Sequence, residues 1–187
     1  MVISRPIPPA SKTLPMTELP PPIVTLVLGG ARSGKSRHAE ALVTAYPAPW
    51  VYIATAQAFD HEMVARIALH QTRRDAGWRT IEAPLDLSGA LHGAGNAPVL
   101  LDCLTLWLTN LMLSEADLPA AIDNIEVALF SRSAPTVVVS NEVGLGIVPD
   151  NALARAFRDQ AGMLHQRIAA RADRVLFIVA GLPLVLK

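Results

Sequence analysis

From Ile23 onward the chain alternates short, continuously apolar runs with longer stretches whose apolar positions recur at helical spacing. The runs VTLVL, VLL and TVVVS are apolar at every position, as strands are when helices cover both of their faces. The pattern predicts strands at residues 23–28, 50–54, 78–82, 99–102, 136–140 and 174–180. It predicts helices at 35–44, 60–72, 87–92, 104–113, 118–130 and 151–172. Such alternation marks βαβ units, so the expected fold is α/β, a mostly parallel central sheet with helices on both faces.

The first 22 residues break the pattern. They hold seven of the 15 prolines, and a segment containing Pro8, Pro9, Pro20, Pro21 and Pro22 sustains neither a helix nor a central strand. Residues 1–22 therefore read as a disordered or polyproline-like tail, and 23–187 as one domain. Hydrophobic residues make up 51% of the chain and mean hydropathy is +0.35, enough to build a sizeable core. Sixteen basic and sixteen acidic side chains leave no field for nucleic acid or a membrane surface, so any phosphate recognition has to be local. Cys103, the single cysteine, excludes an internal disulfide and points to the reducing cytoplasm. No apolar run approaches the roughly 18 residues that a spanning helix requires.

Directly after the first strand stands Gly29-Gly30-Ala31-Arg32-Ser33-Gly34-Lys35-Ser36, which satisfies G-x-x-x-x-G-K-[ST] between a strand and a helix. Glycines let the backbone curl until successive N–H groups point inward, and the helix beginning at Lys35 adds its positive end, so the segment forms a nest for a triphosphate. Lys35 reaches the β- and γ-phosphates, and the Ser36 hydroxyl joins the coordination of Mg²⁺. The fold expected is thus P-loop NTPase-like. Asp102 ends the strand at 99–102, where a parallel sheet presents side chains to its ligand crevice. It reads either as a ligand to Mg²⁺ or the nucleotide, or as the N-cap of the helix that follows.

On the helix expected at 60–72, Met63, Ile67, His70 and Arg74 share a face, and Arg66 and Arg73 flank His70. Nearby guanidinium groups disfavour an imidazolium, and a neutral imidazole is a competent nucleophile toward phosphorus. Read from these residues alone, a solvated basic face is the stronger alternative. His38, His61, His92 and His165 are weaker candidates, Cys103 reads as a small core residue, and Trp50, Trp78 and Trp107 read as core. The loop from Asn141 and Glu142 to Asp150 leaves the strand at 136–140 at its carboxyl end. It reads as an acceptor-binding loop, or as a turn that leads into a helix capped by Asp150 or Asn151.

Taken together, GGARSGKSRHAEAL, YIATA, D-x-E-M-x-x-R-I-x-x-H, W-R-T-x-E, LLDCLTLWLTNL, SNEVGLGIVP, ARAFRDQAG and AGLPLVLK resemble the bifunctional adenosylcobinamide kinase / adenosylcobinamide-phosphate guanylyltransferase family over residues 24–187. The resemblance implies phosphorylation of adenosylcobinamide by ATP or GTP with Mg²⁺, then transfer of GMP from GTP through a guanylyl-histidine. It puts His70 at the position of that nucleophile, reversing the preference for a basic face. It also implies nucleotide contacts at Gly30 to Ser36, at Ile53, Ala54 and Thr55, at Gln71, Thr72, Arg73 and Arg74, and at Glu82 and Asp102. Asp102 stands where members carry Asp or Glu, and the region around 113–117 is shorter than in members with an acidic insertion. A homo-oligomer is implied as well. The alternatives from other classes are a P-loop small-molecule kinase without nucleotidyl transfer and a nucleotide-binding switch module.

Overall fold

The computed structural model describes residues 23–57 and 76–187. The tail at 1–22 and the helix at 60–72 fall outside the described residues. Strands β1 (Val24–Gly29), β2 (Trp50–Ala54), β3 (Trp78–Glu82), β4 (Val99–Asp102), β5 (Thr136–Asn141), β6 (Arg174–Val179) and β7 (Leu182–Val185) form one sheet in the order β3-β2-β4-β5-β1-β6-β7. All neighbours pair in parallel except β6 with β7. The described helices are α1 (Lys35–Thr44), α2 (Leu87–Gly93), α3 (Leu104–Leu113), α4 (Leu118–Phe130) and α5 (Ala152–Arg171).

Successive strand residues point to opposite faces, and both faces are apolar, so the sheet seeds two cores. Leu26, Ile53, Leu101 and Val138 pack beneath α2, α3, α4 and α5, with Trp107, Ile125, Leu129 and Leu164. Val27, Tyr52, Leu100, Val139 and Leu176 pack on the other face with Ala39 and Val43 of α1. Helices thus cover both faces, as the continuous apolar runs require. Trp107 is core as expected. Trp50 and Trp78 are only half-buried, their rings 5.4 Å apart at the margin of the second core. Helices α2, α4 and α5 start at side-chain caps: Asp86, Asp117 and Asn151 accept the N–H groups of Gly89, Ala120 and Ala154.

Strand β7 departs from the sequence expectation, which ends the last strand at 180. Its Pro183 argues against a strand, but an edge position tolerates a residue without an N–H. Ala180 and Gly181, at φ 52° and 81°, supply the two left-handed residues of a tight hairpin.

Candidate active site

At Gly29 the chain leaves the centre of the sheet and curls back into α1. Ser33 N–H donates to the Gly30 carbonyl at 3.3 Å, and Gly34, at φ 93°, precedes the first turn of the helix. A side chain at Gly34 would be strained by that left-handed backbone, and its Cβ would meet the Gly181 Cα at 3.3 Å. Gly181 N–H in turn donates to the Ser33 carbonyl at 2.9 Å, and Glu142 N–H donates to the Gly29 carbonyl at 3.0 Å. The loop is therefore gripped from two sides, by the β6–β7 hairpin and by the start of the segment that follows β5.

Lys35 is buried, and its Nζ donates to the Gly30 carbonyl at 3.1 Å, folding the ammonium back over the loop. Burial lowers its pKa, while the neighbouring Cys103 and Asp102 act in the opposite direction. A partly desolvated ammonium at a helix N-terminus is stabilised by an incoming anion, which is what a phosphate cradle requires.

Asp102 closes β4, separated from β1 by β5. Tyr52 Oη donates to its Oδ2 at 3.2 Å. The alternative role of Asp102 as a cap is not realised, because the N-cap of α3 is Cys103. A polar network fixes this turn. Thr55 Oγ1 donates toward the carbonyls of Asp102 and Cys103 at 3.1 and 2.9 Å and accepts Cys103 N–H at 2.8 Å. Asn110 Nδ2 donates to the Thr55 carbonyl at 2.8 Å, and Asn141 Nδ2 donates to Thr105 Oγ1 at 2.7 Å. Burial, then the charge of Asp102, pushes the Cys103 thiol up to about 11, so it is the inert small core residue expected.

The expected nucleotide contacts at Ile53 and Thr55 have buried side chains, which leaves their backbone at the carboxyl end of β2 to meet a ligand. Ile53 is a core side chain, and Thr55 is fully buried with its hydroxyl bonded to the backbone of Asp102 and Cys103. Ala54, between them, is half-buried, and Glu82 is exposed directly opposite it in the register of β2 and β3. His70, Gln71, Thr72, Arg73 and Arg74 lie outside the described residues. Glu142 lines a cleft of about 710 Å³ together with Gly30, Ala31, Arg32, Ser33 and Phe177. The lip of this cleft carries exposed Leu145, and Ile147 and Val148 follow in the same loop, also exposed. That loop ends in a helix capped by Asn151, the helix-entry role that the sequence offered for it. Tyr52, Thr105 and Gly181 lie within motifs quoted above and His165 among the weaker candidates, yet the sequence singles none of them out for the supporting role it has here.

A family profile described as cobinamide kinase / cobinamide phosphate guanyltransferase matches residues 25–186. The chain is 52% identical over 168 residues to the bifunctional adenosylcobalamin biosynthesis protein CobP of Pseudomonas aeruginosa, covering 87% of this chain and 96% of that one. It is 45% identical over 182 residues to the bifunctional adenosylcobalamin biosynthesis protein CobU of Salmonella typhimurium, covering 88% and 100%. Among solved structures it is similar to an ATPase from the type III secretion system of pathogenic bacteria, with a TM-score of 0.46 and 14% identity, over 82% of this chain and only half, 50%, of that chain. A profile that spans the sheet from β1 to β7, together with relatives matched nearly end to end, establishes that the chain belongs to the cobinamide kinase / cobinamide phosphate guanylyltransferase family.

Proposed function

We propose that the protein is a bifunctional transferase of cobalamin nucleotide-loop assembly. It phosphorylates adenosylcobinamide on its aminopropanol hydroxyl with ATP or GTP, then transfers GMP from GTP to that phosphate, giving adenosylcobinamide-GDP. The observation that carries the reading is a fully formed phosphate loop with a cleft on its flank, in a chain of this family. In the first step the N–H groups of Gly30 to Ser36 and the Lys35 ammonium hold the triphosphate and spread the charge of the migrating γ-phosphoryl group, so catalysis is chiefly positioning and electrostatics. Ser36 and Asp102 offer the hard oxygen donors that suit Mg²⁺, and both stand at the carboxyl ends of parallel strands or just beyond. Bound there, Mg²⁺ would neutralise charge on the phosphate oxygens.

In the second step His70 attacks the α-phosphorus of GTP and expels pyrophosphate, and an oxygen of the corrinoid phosphate then displaces the imidazole. Gln71, Thr72, Arg73, Arg74 and Glu82 complete the nucleotide side, and Asn141 and Glu142 the acceptor side. The protein works in the cytoplasm as a homo-oligomer, without nucleic acid. Among the described residues no helix is long and apolar enough to cross a membrane.

The test is incubation with adenosylcobinamide, GTP and Mg²⁺, with products resolved by mass and the protein probed with α-labelled GTP. Wild type should yield both products and an acid-labile, base-stable protein adduct. His70→Ala should lose the adduct and GMP transfer while phosphorylation survives at least in part. Labelling retained by that variant overturns the histidine assignment, and a wild-type protein that never labels leaves a kinase alone.

A further inference from the structure

Beneath the acceptor side of the cleft lies a second group of polar side chains. Ser140 of β5 is fully buried, and its Oγ stands 2.7 Å from Nε2 of the buried His165 on α5. The other ring nitrogen, Nδ1, stands 4.0 Å from Oε2 of Glu142. Serine to Nε2 and Nδ1 to carboxylate is the connectivity of a hydrolytic triad. Burial reverses its use here, because no substrate reaches Ser140, whereas Glu142 forms part of the cleft wall beside the phosphate loop.

Among the described residues lining that cleft, Glu142 is the sole carboxylate and Arg32 the sole cation. Its backbone is tied to Gly29, and its Oε1 accepts the Gly144 N–H. Burial lowers the pKa of His165 and so favours the neutral ring, with Glu142 opposing that effect. A neutral ring whose Nε2 accepts the Ser140 O–H carries its own proton on Nδ1, the nitrogen turned toward Glu142. At 4.0 Å the pair is longer than a hydrogen bond, so the ring orients the carboxylate as a fixed dipole.

We propose that Glu142 is the general base of the phosphoryl-transfer step and that His165, anchored by Ser140, is its positioning residue. The inference rests on the function proposed above, since it needs an acceptor hydroxyl. That hydroxyl gives its proton to a Glu142 carboxylate oxygen as its own oxygen bonds to the γ-phosphorus. The bond from γ-phosphorus to the bridging oxygen breaks, the nucleoside diphosphate leaves with that electron pair, and the Glu142 carboxyl returns its proton to solvent.

Steady-state phosphorylation of adenosylcobinamide should be measured for wild type, Glu142→Gln, His165→Asn and His165→Gln. Loss of the base should lower kcat by about 10²-fold or more, with the nucleotide KM little changed. Asn places an amide near the position of Nδ1, whereas Gln places one near Nε2. His165→Asn should therefore retain more kcat than His165→Gln, while a purely packing role ranks them equal or the other way round. Wild-type kcat in Glu142→Gln, or equal kcat in two folded His165 variants, overturns the proposal. Glu142 carries no core packing, so its variant decides the matter if the His165 variants do not fold. A wild-type protein that phosphorylates no cobinamide brings down the parent function and this inference together; activity that survives Glu142→Gln brings down the inference alone.

Discussion

Replacing Gly29 with Ala should disturb the phosphate loop by contact alone. A Cβ at this position would stand 2.6 Å from Ser33 Oγ and 2.7 Å from the Ile178 carbonyl oxygen. The serine can rotate away, but Ile178 is backbone of β6 in register with Gly29, so either strand or loop has to shift. Overpacking of this kind costs about 1–3 kcal/mol. For a chain of this size each kcal/mol moves Tm by about 2–4 °C, so the variant should melt roughly 2–12 °C below wild type. Gly30→Ala is the matched control: nothing lies within 4 Å of its added methyl, and its Tm should stay within the range of a neutral surface change. Thermal melts with and without GTP report both effects, because bound nucleotide raises Tm in proportion to its affinity. Gly29→Ala should lose Tm and part of the nucleotide-induced rise, whereas Gly30→Ala should lose only the latter. Adding Ser33→Ala to Gly29→Ala should recover part of the loss, since the Ile178 oxygen remains. Equal melting of Gly29→Ala and Gly30→Ala would refute close approach as the constraint.

Lys35→Ala should depress both transfers while leaving stability equal or higher, since burial of the ammonium opposes its charge; normal GMP transfer by this variant would reveal a second, independent triphosphate site. The pKa of His165 is lowered in the fold from 6.5, so the unfolded chain takes up the proton more readily. The stability this contributes is complete above about pH 6.5 and is lost as the pH falls toward the folded value, by at most about 1.4 kcal/mol per pH unit. Urea midpoints between pH 7 and 5 should show the decline, and an identical slope in His165→Asn would assign it elsewhere. Arg132 donates to the carbonyls of Leu91, Gly95 and Ala97 at 2.8, 2.9 and 2.7 Å and to Thr136 Oγ1 at 2.9 Å. Arg132→Met should cost about 2–4 kcal/mol in denaturant melts without changing kcat/KM per folded molecule.

Features written in contiguous residues were legible in advance. The phosphate loop is eight consecutive residues, and the apolar runs of β1, β4 and β5 announce two covered faces. The supporting network was not legible, because its partners meet only through the sheet. Ser140 and His165 are 25 positions apart, and Asn110 and Thr55 are 55 apart. Strand β7 was hidden for another reason: Pro183 is a strand breaker anywhere but at an edge, and the edge exists only once the strand order is known.

The position of β1 couples nucleotide binding to the history of the chain. Its partners β5 and β6 follow it by more than a hundred residues, so Gly29 has no fixed direction until both have joined the sheet. Closing such long loops is slow, and contacts of this range form late in folding. The triphosphate nest is therefore among the last features to mature, and partly folded molecules with some strands already paired have no cradle to offer. During refolding, retention of GTP should rise with the final recovery of structure and lag behind early gains in helix content, which would make the nucleotide a reporter of completed assembly.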